Sequence, residues 1–125
     1  MLRTAAPIAF VATTDAERAR AFYAGTLELE LVADEPFALV FDLAGTTLRV
    51  AKVDRLDPQP HTVLGWLVDD AGAAVDWLVA RGVEPVRYSG LDQDQQGIWR
   101  SPGGARIAWF LDPDGNTLSV TQPAP

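Results

Sequence analysis

Short apolar stretches with a period of two alternate along the chain with stretches that place apolar residues every three or four positions, the patterns of half-buried strands and amphipathic helices. Ile8 to Thr13 reads as a strand. A helix opens at Thr14, with Glu17 three residues on in the manner of a capping box, and runs to about Thr26. Glu28 to Ala33 alternates, Phe37 to Leu43 is a richer apolar strand, and Thr46 to Val53 follows a Gly turn. Asp54 to His61, with two prolines, reads as a linker. Beyond it, Leu64 to Val68 is a predicted strand. Asp69 or Asp70 caps a helix that ends at Gly82, and Glu84 to Tyr88, Ala105 to Leu111 and Thr117 to Thr121 complete the strands. Asp112-Pro113-Asp114-Gly115 has the residue order of a type I turn.

These elements occur twice. Phe10-Val11-Ala12-Thr13-Thr14-Asp15 aligns with Gly65-Trp66-Leu67-Val68-Asp69-Asp70 at an offset of 55. Ala19, Phe22 and Tyr23 then fall on Ala74, Trp77 and Leu78. Gly45 to Val50 aligns with Gly115 to Val120 at an offset of 70, so the second copy has gained 15 residues, placed within Tyr88 to Gly104. The expected architecture is α+β: one domain over residues 1–125 with two βαβββ repeats, about 7–53 and 62–122, joined by the linker 54–61. The repeats would form a curved mixed sheet with an open cleft and helices on its outer face.

Strand periodicity sorts side chains between two faces. One carries Ala9, Val11, Leu48, Val50, Leu64, Trp66, Val68, Leu118 and Val120, and belongs under the helices. The other carries Ile8, Phe10, Thr47, Arg49, Ala51, Val63, Gly65, Leu67, Thr117, Ser119 and Thr121. A mixed face with no helix to cover it is a candidate ligand surface.

Composition narrows the chemistry. Ten Lys and Arg against 17 Asp and Glu leave a net charge of −7, which disfavours nucleic acid and anionic membrane surfaces as partners. The chain has no cysteine, which excludes disulfides, thiolate nucleophiles, zinc–thiolate sites and iron–sulfur clusters. No apolar run approaches the roughly 20 residues of a membrane span, and Ala5 to Ala12 reads as a core strand rather than a signal peptide, so the cytoplasm is the expected location.

Thr14-Asp15-x-Glu17-Arg18-Ala19-x-Ala21-Phe22-Tyr23, Val68-Asp69-Asp70 and Asp112-Pro113-Asp114-Gly115-Asn116, set in two βαβββ copies, resemble the vicinal oxygen chelate superfamily over essentially the whole chain. That superfamily includes glyoxalase I, extradiol dioxygenases and bleomycin-resistance proteins. The resemblance implies a divalent metal held by four side chains from the first and last strand of each copy, usually His, Gln or Glu. By position these fall on Ile8, Arg49, Val63 and Ser119, none of which is an ordinary ligand. His61, the only histidine, lies two residues before Val63 and reads as an exposed linker residue. No metal or other cofactor is therefore expected.

The resemblance then implies a bleomycin-resistance-like member: a homodimer binding a small molecule, a drug or metabolite, without chemistry. The expected ligand-binding residues are Phe10, Thr47, Arg49, Leu67, Trp99, Trp109 and Ser119, with the segment from Gln93 to Gln96 as a loop over the cleft. Trp66 and Trp77 are assigned to the core. Arg49 would clamp an anionic group or pair with an acid such as Asp42. Net charge favours a cationic ligand and Arg49 an anionic one. Two other readings stay open. One is an enzyme, a lyase, epimerase or dioxygenase with an atypical site, for which Asp42, Asp92 and Asp94 are unplaced acids. The other is an interaction module whose open face meets a partner.

Overall fold

A computed structural model describes residues 1–125. The chain divides between Pro58 and Gln59 into two compact units. The first contains strand β1 (Ile8–Thr13), helix α1 (Ala16–Arg20), a π-helical turn (Ala21–Thr26) and strands β2 (Glu30–Asp34), β3 (Ala38–Leu43) and β4 (Thr46–Lys52). Its four-stranded sheet has the order β1-β4-β3-β2, with β1 and β4 parallel and the other pairs antiparallel. The second unit contains β5 (Thr62–Leu67), α2 (Ala71–Ala80), β6 (Trp99–Arg100), β7 (Arg106–Leu111) and β8 (Thr117–Gln122). Its order, β5-β8-β7-β6, is the same pattern, again with a parallel first pair. The chain is thus α+β with two mixed sheets, one per unit, where the sequence suggested one.

The internal repeat extends to register. Ala9 faces Leu48 and Val11 faces Val50 in the first unit; Leu64 faces Leu118 and Trp66 faces Val120 in the second. These are the pairs that the offsets of 55 and 70 equate. Val11, Leu48, Val50, Leu118 and Val120 are all buried, as expected of the helix-side face. Phe41, Tyr23 and Phe22 complete the first core, with Phe22 and Tyr23 edge to face at 5.1 Å. The second core gathers Val75 and Leu78 of α2 with Ala108 and Phe110, and Trp66 stacks on Phe110 at 6.2 Å. Trp77, expected in the core, is 37% exposed, and Arg81 lies over its ring at 3.7 Å.

Local chemistry sets the element ends. Asp15, not Thr14, caps α1: its Oδ1 accepts the Arg18 N–H at 3.1 Å. Asp70 caps α2 in the same way, through the Ala73 N–H at 3.0 Å, and Gly82 beyond it takes φ +83°. After α1 the Leu27 N–H reaches Phe22 O, and this wider turn lets the adjacent Phe22 and Tyr23 both point inward. In the Asp112–Asn116 turn the Gly115 N–H donates to Asp112 O. The buried Asp112 carboxylate accepts the N–H groups of Asp114 and Asn116 and the Asn116 side-chain amide, all within 2.9 Å.

The predicted strand Glu84 to Tyr88 does not form. Pro85 has no N–H to donate, and only the Val86 N–H bonds to the sheet, to Trp109 O at 2.7 Å. The Gln93 side chain takes the other groups: Oε1 accepts from Tyr88 N, and Nε2 donates to Val86 O and Gly97 O. The outer position of the second sheet goes instead to β6, inside the inserted segment.

Candidate functional site

In the first unit, pairing places Phe10 opposite Arg49 and Ile8 opposite Thr47, so all four side chains share one face of the sheet. Phe10 is 58% exposed there, and Ile8 is also exposed. The Arg49 guanidinium donates to Glu35 Oε1 at 3.1 Å. Arg49 therefore has an internal acid partner, but it is Glu35 in the β2–β3 connection. Asp42, the expected acid, instead accepts the Gly45 N–H in the β3–β4 turn at 3.1 Å. An arginine–carboxylate pair presents a dipole to its surroundings rather than a lone positive charge.

In the second unit Trp109 is opposite Ser119, which is opposite Gly65, while Trp99 is opposite Ile107, Ile107 opposite Thr121, and Thr121 opposite Leu67. Trp99, Trp109, Ser119 and Leu67 therefore lie on one face. Trp99 and Trp109 touch at 6.1 Å between ring centres, inclined by 34°. Tyr88 meets Trp109 edge-on at 5.4 Å, and the Trp109 indole N–H donates to Thr62 Oγ1 at 3.1 Å. Leu67 stands 77% exposed beside this cluster's strand layer. Ser119 differs from the expectation: it is 7% exposed, pressed so closely under Gly65 that a β-carbon there would lie 2.6 Å from its hydroxyl.

Sequence reasoning missed Tyr88 and Thr62 as supports of the indoles, and Glu35 as the partner of Arg49. The misplaced strand at Glu84 to Tyr88 hid the first, because face alternation has no meaning in a segment that is not a strand. The expected loop residues prove structural. Gln93 holds its own segment, Asp94 Oδ1 accepts the N–H groups of Gln96 and Ile98, and Gln96 Nε2 reaches Gly72 O and Asp76 Oδ1.

Two surface concavities are lined by none of the expected ligand-binding residues. One, of about 640 Å³, runs along α1 past Arg20 and Asp34. The other, of about 500 Å³, is lined by Asp92, Asp94, Arg100 and Arg106. At the first, the Lys52 ammonium, 2.6 Å from Asp34, holds that carboxyl below its ordinary value of 3.8, chiefly by hydrogen bonding. Desolvation, the second-largest influence, works the other way; the charges of Lys52 and then Arg20 add to the lowering.

A divalent metal does not fit the positions where the resemblance would put its ligands. Ile8 and Val63 have no donor atom, Ser119 is a neutral hydroxyl, and Arg49 is a fixed cation already paired with Glu35. His61 is exposed, and no group of three or more His, Asp or Glu side chains is placed to hold a metal ion elsewhere. No helix is long and apolar enough to cross a membrane.

Comparison with known proteins agrees with the topology. Among solved structures, a member of the glyoxalase/bleomycin resistance protein/dioxygenase superfamily from Sphaerobacter thermophilus superposes with a TM-score of 0.72 at 25% identity, covering 95% of this chain and 98% of that one. A lactoylglutathione lyase from Agrobacterium tumefaciens gives 0.66 at 23% identity, over 95% and 93% of the chains. A fosfomycin resistance protein from Listeria monocytogenes gives 0.74 at 15% identity, over 97% and 94%. Among curated proteins no match was found. The family model described as Glyoxalase/Bleomycin resistance protein/Dioxygenase superfamily matches residues 5–120, and with the doubled βαβββ topology behind it, the chain belongs to that superfamily.

Proposed function

We propose that this chain binds a small, partly planar molecule and sequesters it without metal-assisted chemistry. The observation that carries the reading is the Trp99–Trp109–Tyr88 cluster on the open face of the second sheet, with the Trp109 indole fixed by Thr62. Rigid aromatic rings offer large contact area at little entropic cost. In the first unit Phe10, Thr47 and the Arg49–Glu35 pair form the corresponding surface. Because Glu35 neutralises Arg49, that surface does not demand an anion, and the net charge of −7 favours a neutral or cationic ligand. We further propose a cytoplasmic homodimer, checked by sedimentation across a concentration series: a single species at the monomer mass throughout would overturn the dimer.

The test is a fluorescence titration with planar drugs of both charges, adding fosfomycin and lactoylglutathione because two structural neighbours carry their names. A ligand should quench or shift tryptophan emission saturably, and Trp109→Phe should weaken it about tenfold, the loss of one well-packed indole contact. Binding that Trp109→Phe and Trp99→Phe both leave unchanged would remove the cluster from the site. Turnover of either named compound would replace sequestration with catalysis.

A further inference from the structure

A second site lies in the groove of about 500 Å³ at the β6 edge of the second unit, a volume within the roughly 300–1,000 Å³ usual for small-ligand sites. Arg100 and Arg106 face each other directly across the β6–β7 pair, and Gln122 stands opposite Arg106 on β8, so two guanidinium groups share the groove wall. Like charges directly opposite in a sheet destabilise it. Here they are barely compensated. Asp94 Oδ2 reaches Arg106 only at 3.9 Å, while its Oδ1 is committed to the Gln96 and Ile98 N–H groups. Arg100 has no acid partner, and the Asp92 carboxylate, also on the groove wall, has no cation partner. The groove thus holds two cations and two anions whose mutual pairing is incomplete, with buried Ile98 as an apolar base.

We propose that this groove binds a zwitterionic amino-carboxylate, a free amino acid or a close analogue. Arg100 and Arg106 form charge-assisted hydrogen bonds to the ligand carboxylate, which relieves their repulsion. Asp92 takes the ammonium group. A simple anion satisfies the arginines but is repelled by Asp92 and Asp94, and a simple cation meets the converse problem. The zwitterion alone matches both pairs.

The experiment is an amide NMR titration of the full chain with the common amino acids singly, alongside propionate, propylamine and sulfate. At least one amino acid should give saturable shifts centred on Ile98, Gly104 and Gln122 and bind at least fivefold tighter than the three single-charge probes. Arg100→Ala and Asp92→Asn should each weaken it about tenfold, roughly one charge-assisted hydrogen bond apiece. Arg100→Ala without ligand should melt no lower than the parent, because it removes a like-charge pair; a lower melting point would make Arg100 a structural residue and overturn its role. Absence of saturable shifts up to about 20 mM, well beyond a millimolar site, overturns the proposal, as does equal binding of sulfate or propionate. Trp109→Phe should leave this binding unchanged, which separates it from the aromatic face.

Discussion

Residues whose chemistry is set by a partner distant in sequence define what this superfamily member can do. Arg49 is the clearest: position alone left it a clamp or a paired cation, and the partner proves to be Glu35, 14 residues away. Strand periodicity says which face a side chain takes but not which loop carboxylate will reach it. The pair is partly exposed, so Glu35→Gln should cost under about 1 kcal/mol of stability while leaving an unneutralised guanidinium on the face. Asp34 offers a sharper check. Its folded-state value lies below 3.8, so it binds fewer protons than the unfolded chain as pH falls through the carboxylate range. Its contribution is therefore present above the unfolded value and is lost as pH drops through the lower, folded one. An NMR titration of the Asp34 carboxyl should show a midpoint below 3.8 that moves back up in Lys52→Met. An unmoved midpoint would mean that the 2.6 Å contact does not persist in solution.

At the scale of elements, the repeat was legible because the two offsets carry a strand pair of the first unit onto a strand pair of the second: Val11–Val50 onto Trp66–Val120. Turn residues were legible where one residue does the work, as with the Asp112 carboxylate and the positive φ of Gly82. The inserted segment was not, because its geometry comes from a side chain imitating a strand. Gln93 satisfies Tyr88 N, Val86 O and Gly97 O at once, a role that no periodicity announces. Gln93→Leu should thus cost about 2–4 kcal/mol in urea unfolding, since three backbone groups lose their partner, and should disturb the Tyr88–Trp109 contact seen in tryptophan emission. A change below 0.5 kcal/mol, roughly the noise of surface substitutions, would show that water replaces the amide. The glycines of the same unit give a paired comparison. Gly82 and Gly97 both have positive φ, but a β-carbon meets nothing at Gly82 and lies 2.8 Å from Pro85 Cβ at Gly97. Gly82→Ala should cost about 1 kcal/mol, backbone strain alone, and Gly97→Ala about 3 kcal/mol, strain plus overpacking against a rigid ring. Equal costs would mean that the Glu84 to Tyr88 segment yields freely.

For the whole molecule, charge decides what the local sites leave open. A net charge of −7 acts over about 10 Å at 0.1 M salt, beyond the reach of any single pair. The Arg49–Glu35 pair, locally neutral, contributes almost nothing to that field. Long-range potential changes encounter rates more than it changes the lifetime of a complex held by ring contacts. A cationic planar probe such as thioflavin T should therefore associate about threefold or more faster at ~20 mM than at ~300 mM salt. An anionic one such as anilinonaphthalene sulfonate should show the opposite trend, with dissociation rates nearly constant for both. Stopped-flow tryptophan quenching measures both limbs. If the anionic probe associates faster at low salt, the potential at the tryptophan face is positive despite the total charge, and long-range steering by the net charge is overturned. If the cationic probe is favoured, Arg49→Ala should enhance its low-salt rate only slightly, because the removal of a neutralised cation exposes one carboxylate among 17 acids.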